Sequence, residues 1–178
     1  VTGVQTCALP ISEDAPVEAA LEEPAMRAAL EAIVPGAGAS PVLEKRPYRV
    51  HQRIAARYRE GRVFLCGDAA HLNSPSGGMG MNGGVHDAFN LTEKLARVWN
   101  GESDALLDLY ERQRKPVAKN EIIAQADRNR ARMREKDPAR RRATLGELQA
   151  VTRDRQKLYD YVLRSSMIAG LRQAASTT

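Results

Sequence analysis

Cysteine is scarce in this 178-residue chain, which has two, Cys7 and Cys66. The first stands in an opening stretch, VTGVQTCALPI, that resembles a translated sequencing adaptor more than folded protein, and residues 1–11 are set aside for that reason. A chain that opens in this way is expected to be a fragment. Cys66 alone then excludes a disulfide framework, and the chain is expected to be cytoplasmic, in reducing surroundings. Aromatic residues make up 4% of the chain, and its three histidines, His51, His71 and His86, are too scattered for a metal site. No apolar run approaches the roughly 20 residues that a membrane-spanning helix needs.

The charge is lopsided without being extreme, with 27 Lys and Arg against 22 Asp and Glu. The excess gathers in RNRARMREKDPARRR, residues 128–142, where Glu135 and Asp137 interrupt the bases and no aromatic residue offers a stacking surface. That pattern describes a solvated helical face, and no nucleic-acid partner is expected.

Proline and glycine divide the remainder. From Ser12 to Pro35 the chain is rich in Ala, Glu and Leu, with Pro16 and Pro24 suited to the first turns of two short helices. YRVHQRIAARY, residues 48–58, alternates Tyr48, Val50, Ile54, Ala56 and Tyr58 with basic flanks and predicts a half-buried strand. After a turn at Glu60–Gly61, the apolar run Val63–Cys66 predicts a strand covered on both faces, as in the centre of an α/β sheet. Beyond it, Met81, Val85, Ala88, Phe89, Thr92, Leu95, Ala96 and Trp99 recur at helical spacing and predict a buried helix. A further helix, capped by Ser103 or Asp104, carries Leu106, Leu107, Leu109 and Tyr110 and is expected to kink at Pro116. The rest reads as helical, with interruptions at Pro138 and Gly146, packing residues at Met167, Ile168 and Leu171, and a frayed ASTT end.

Between strand and helix stands GDAAHLNSPSGGMGMNGGVHDAFNL, residues 67–91, which holds six of the 13 glycines. A strand, a glycine-rich turn and a helix together present backbone N–H groups at a helix N-terminus, where anions are favoured. Glycines at a helix start cost up to about 1 kcal/mol each relative to alanine, so a ligand approaching the backbone would explain them.

This ordered set, from GRVFLCGDAAH through DAFNLTEKLA to LYERQRKPVA, closely resembles the second flavin-binding motif of FAD-dependent aromatic hydroxylases, the p-hydroxybenzoate hydroxylase-like monooxygenases. The resemblance covers about residues 46–120. It implies an α/β fold: the C-terminal part of a Rossmann-like FAD/NAD(P)-binding fold, with a remnant of the substrate-domain sheet and a helical C-terminal region. Residues 12–60 would end the substrate domain, 61–130 would close the FAD-binding domain, and 131–178 would form C-terminal helices. The G-x-G-x-x-G unit for the ADP half of FAD does not occur in these residues.

The same resemblance implies FAD as cofactor, NAD(P)H as co-substrate, and an aromatic substrate hydroxylated with O2 through a flavin C4a-hydroperoxide. Asp68 would accept a hydrogen bond from a ribityl hydroxyl, with Gly67 beside it. Pro75, Gly77, Gly78, Gly80, Met81 and Asn82 would line the isoalloxazine ring, and the helix from Met81 would aim its N-terminus at the flavin N1 and C2 carbonyl edge. His71 reads as structural or pocket-lining, Cys66 as core, and no catalytic residue is assigned. Asp68 could instead cap its turn, and Asn82 could cap the helix. Arg112 and Arg114 match the family pattern without an evident mechanism. A related flavoprotein (an epoxidase, halogenase or reductase), a basic nucleic-acid-binding module and a fragment inactive by itself are the alternatives.

Overall fold

The computed structural model describes Ile11 and residues 15–178, so the segment set aside above lies, but for Ile11, outside the described residues. The chain forms two compact units, one up to Arg49 and one from Val50 to Thr178. In the first, α1 (Val17–Ala20) follows Pro16 and α2 (Glu23–Ile33) has Pro24 in its first turn, as the prolines indicate. Glu31 closes α2 by accepting the N–H groups of Gly36 (2.8 Å) and Gly38 (3.0 Å).

The second unit opens with short strands. β1 (Arg53–Ile54) pairs antiparallel with β4 (His71–Leu72), and β2 (Arg59–Glu60) pairs with β3 (Val63–Phe64) across the turn at Gly61. The strand anticipated over residues 48–58 is thus reduced to two residues in its middle, and Tyr48 and Val50 are exposed. Alternation makes a strand only where a neighbour supplies hydrogen bonds, and no described strand lies beside residues 48–52. The run Val63–Cys66 likewise forms one arm of a hairpin, with Val63 exposed, rather than a central strand.

Helices make up the rest. α3 (Gly80–Trp99) leads through a short 3₁₀ turn, capped by Ser103, into α4 (Asp108–Val117). Pro116 lies inside α4 and has no N–H to return to the preceding turn. The helix passes into a π-helical stretch, Ala118–Ile123, before α5 (Ala124–Arg134) resumes, so the anticipated kink is a widened turn. α6 (Pro138–Arg153) starts at Pro138 with Asp137 as cap and runs through Gly146 without a break, contrary to expectation. α7 (Arg155–Ser165), capped by Asp154, buries no residue, and neither does α6. α8 (Ile168–Ser176) returns to α4, where Gly170 leaves space for Val117 and Glu121. The end is not frayed: the Thr177 carbonyl accepts Gln113 Nε2 at 3.0 Å. No helix among the described residues is long and apolar enough to cross a membrane.

The buried side of α3 is the reverse of what its apolar stripe predicts. Met81, Val85, Ala88, Phe89, Thr92, Leu95, Ala96 and Trp99 are all exposed, Trp99 by 90%. Gly83, Asp87, Leu91 and Lys94 are buried instead, one helical face set by spacings of four, four and three. They face α4, which is itself polar there. Asn90 Nδ2 donates to Gln113 Oε1 at 3.0 Å, and the Lys94 ammonium donates to Asn90 Oδ1 at 2.9 Å.

Asp87 is the centre of this face. Its Oδ1 accepts Arg114 Nε at 2.7 Å, and its Oδ2 meets His71 Nε2 at 2.6 Å and the Gly67 N–H at 3.2 Å. All three side chains are at most 1% exposed. Burial pushes the Asp87 carboxyl up, but the His71 and Arg114 hydrogen bonds and the Arg114 charge outweigh it and hold the carboxyl below its ordinary value. One small apolar cluster, Tyr58, Ala70, Leu91 and Tyr110, contains the Tyr58 ring stacked against His71. A second contains Met79, Ala118, Ile122 and Met167.

Two outcomes follow for stability. Replacing Arg114 by Met leaves a buried carboxylate without its guanidinium and is expected to cost about 3–5 kcal/mol near neutral pH. The lowered Asp87 value stabilises the parent above the ordinary carboxylate range, and that contribution is lost as pH falls through the folded-state value. The variant's carboxyl, raised by burial, is relieved on protonation, so urea titrations near pH 7 and near pH 4 should show the deficit narrowing. An equal deficit at both would count against an ionised Asp87. The second outcome concerns two helical glycines. A Cβ at Gly83 would lie 2.4 Å from Ile122 Cδ1 and 3.2 Å from His71 Cε1, whereas one at Gly146 meets nothing within 4 Å. Gly146→Ala should therefore gain up to about 1 kcal/mol of helix propensity, and Gly83→Ala should lose about as much net through overpacking. Shifts of the same sign in the two urea midpoints would contradict this packing.

Candidate functional site

Two positions turn the backbone between β3 and α3, and both need glycine. Cys66 leaves the hairpin extended, and Gly67 then takes φ of +60°, sending Asp68 into a 3₁₀ turn, Gly67–Ala69. A side chain at Gly67 would also press on the Gly84 backbone, 3.4 Å from its Cβ position. After β4, Ser74 caps a second 3₁₀ turn, Pro75–Gly77, and Gly78 at φ of +65° redirects the chain into α3. α3 begins at Gly80, one residue before the expected Met81.

These turns enclose an open concavity of about 340 Å³, near the lower end of ligand-site volumes. It is lined by Asp68, Pro75, Gly78, Gly80 and Met81, all singled out from the sequence, together with Leu72, Asn73 and Met79. Gly67, Gly77 and Asn82 lie outside the lining. The Cβ direction of Gly77 points at Ala126 of α5, 3.1 Å away, so close helix packing accounts for that glycine. Asn82 is exposed in the first turn of α3 and does not cap it; Met79 is the capping residue.

Asp68 is exposed, caps no turn, and makes no hydrogen bond or ion pair with another described residue. Its carboxylate is free to accept hydrogen bonds from a hydroxyl-bearing molecule in the concavity. Opposite it, the Gly83 N–H makes the first bond of α3, to the Met79 carbonyl at 2.8 Å, which leaves the N–H groups of Gly80, Met81 and Asn82 outside the helical ladder. The positive end of the helix dipole therefore lies at the concavity, and a ligand edge carrying partial negative charge suits it.

His71 is held by Asp87 in the core and does not reach the concavity. Cys66 is half-buried, with its Sγ 3.9 Å from the Gly84 carbonyl, and burial pushes its thiol up, which opposes a nucleophilic role. His51 is exposed and His86 half-buried, and no group of metal-ligating side chains occurs among the described residues. Sequence reasoning missed Asp87 and the partner of Arg114. Both stand in the quoted motifs, and Asp87 lies on the face opposite the apolar stripe. It also missed the second brace of the site: Asn129 Nδ2 donates to the Ser76 carbonyl at 2.8 Å, and Ser76 Oγ donates to the Ala126 carbonyl at 3.2 Å.

Comparison with known proteins shows the family. A family described as "FAD binding domain" matches residues 6–125. The chain is 42% identical over 127 residues to para-nitrophenol 4-monooxygenase of Pseudomonas sp. (strain WBC-3), covering 71% of this chain and 32% of that protein. Over 72 residues it is 58% identical to pentachlorophenol 4-monooxygenase of Sphingobium chlorophenolicum, 40% of this chain and 13% of the relative. The crystal structure of p-nitrophenol 4-monooxygenase PnpA from Pseudomonas putida DLL-E4 superposes with a TM-score of 0.67 at 37% identity, over 80% of this chain and 38% of its own. The chain thus spans about a third or less of the length of these relatives. The α/β fold and the resemblance to FAD-dependent aromatic hydroxylases both hold, and the chain belongs to the FAD binding domain family.

Proposed function

We propose that this chain supplies one wall of the flavin site of an FAD-dependent monooxygenase that hydroxylates an aromatic compound with O2 and NAD(P)H. The observation that carries the reading is Asp68: an exposed, unpartnered carboxylate on a concavity that also collects Pro75, Gly78, Gly80 and Met81 at the N-terminus of a long helix. These residues fit FAD. Asp68 would accept a hydrogen bond from a ribityl hydroxyl, and the segment from Pro75 to Asn82, with Gly77 behind it, would hold the ring. Gly78 and Gly80 let the backbone approach without a side chain in the way. The unpaired N–H groups of α3 would hold the electron-rich edge of the ring and favour the negative charge that reduction brings. Bound there, FAD supplies the redox chemistry that joins O2 to an electron-rich ring.

The names of the relatives, nitrophenol and pentachlorophenol monooxygenases, favour a phenol as substrate. In this reading residues 12–60 end a substrate domain, 61–130 close the FAD-binding domain, and 131–178 form a helical appendage. The apolar stripe of α3, Met81 to Trp99, is then the face that the remainder of the FAD-binding domain covers, which accounts for a run of exposed side chains larger than a solitary soluble unit ordinarily shows.

The test uses the complete product of the gene that encodes this chain. Asp68→Ala should weaken FAD retention roughly ten- to a hundredfold, the loss of one hydrogen bond to a charged group, while Asp68→Asn keeps part of it. Gly80→Val should weaken FAD retention as well, since its Cβ would lie 3.1 Å from Asn73 Oδ1 at the rim. Tight FAD in both Asp68→Ala and Gly80→Val, followed by ultrafiltration and flavin absorbance, would contradict the site. The 178 residues alone, mixed with FAD, should give no stoichiometric yellow complex, because they form a single wall.

A further inference from the structure

Asp87 does not line the concavity, yet it is bonded to the residue from which Asp68 departs. The Gly67 N–H that it accepts belongs to the left-handed turn that places the Asp68 carboxylate, and the other side of that peptide turn is held by the Ala70 N–H on the Gly67 carbonyl at 2.8 Å. The Gly67 backbone is in a conformation that an L-residue rarely adopts, and the neighbouring contact is the bare Cα of Gly84. The orientation of the Asp87 carboxylate is in turn set from two sides, by Arg114 of α4 on Oδ1 and by His71 of β4 on Oδ2. A rigid chain of polar contacts therefore runs from α4, through Asp87, to the turn bearing Asp68.

We propose that Asp87 is a positioning residue for the flavin contact of Asp68, with Arg114 and His71 fixing its carboxylate so that the Gly67 N–H holds the turn in its binding geometry. The inference rests on the flavin reading above. The opposite lip of the concavity, Pro75–Gly77, is braced separately, by Asn129 and Ala126 of α5 on Ser76. The two braces differ in what they act through, and this makes the proposal testable.

The experiment is a double-mutant cycle on the complete gene product, reading the FAD dissociation constant by flavin fluorescence and the visible circular dichroism of the bound flavin. Asp87→Asn keeps the shape and loses the charge. It should weaken FAD about tenfold and alter the dichroism in the parent background, and do neither when Asp68 is already Ala. His71→Gln, which leaves the Asp87–Arg114 pair in place, should show the same dependence on Asp68 with a smaller effect, and it serves where Asp87→Asn does not fold. Asn129→Ala acts on the other lip, so its effect should persist in the Asp68→Ala background. Equal weakening by Asp87→Asn or His71→Gln with and without Asp68, or no weakening by either, overturns the positioning role and leaves the flavin site standing. If Asp68→Ala itself leaves FAD binding unchanged, both fall.

Discussion

A carboxylate with no exposure is the constraint around which this chain is organised. Taking Asp87 out of water carries a desolvation cost of several kcal/mol, and the structure tolerates it because three donors converge on two oxygens. Those donors come from three places in the sequence: the turn after β3, strand β4 and helix α4. Once the pair forms with Arg114, α3 and α4 have one relative placement at that level. Lys94, Asn90, Gln113 and the Thr177 carbonyl extend the same polar seam toward the C-terminus. The apolar clusters beside it are small, so the geometry of the unit owes as much to the paired charges as to the burial of Tyr58, Tyr110 and Ile122.

What was legible in the sequence, and what was not, follows from whether a feature is local. The turn–helix with its glycines could be read because positive φ at Gly67 and Gly78, a serine cap and a helix start depend on neighbours within a few residues. Five residues predicted for the site do line one concavity for the same reason. The strands were over-read because pairing is not local: Tyr48 and Val50 have the right residue types and no described partner strand, and Val63 pairs only within a two-stranded hairpin that leaves it exposed. Gly77, which the resemblance places along the ring, also makes room for Ala126, and Gly83 makes room for Ile122 and His71. Ala126 and Ile122, 49 and 39 positions downstream of Gly77 and Gly83, require them to be bare.

The face of α3 shows the same limit more sharply. A stripe of eight apolar or small positions is ordinarily the core side of a helix, and here it is the open side, whereas the side bearing Asp87 and Lys94 is buried. Amphipathic reading assigns one buried face per helix. It cannot represent a helix whose polar side is buried, through charges matched by α4, while its apolar side stays open. Arg114 was the available clue, since a buried arginine calls for an acid, and Asp87 was the acid within the quoted motif that no surface role explained.

The two faces also suit the chemistry proposed for the concavity. A helix whose N-terminus stabilises charge gained on a ring must not shift when that charge appears, because stabilisation that requires reorganisation is worth less than stabilisation already in place. α3 is fixed along its length by the Asp87 and Asn90 contacts to α4, and its first turn is seated on Ile122 through Gly83. The widened turn after Pro116 is what brings Ala118 and Ile122 under that first turn, and α5 beyond it reaches Ser76. One continuous helical path, α4 to α5, thereby supports both lips and the helix end between them. This is why the residues most exposed to a ligand, Asp68 and Gly78, can have few contacts of their own and still be held in place.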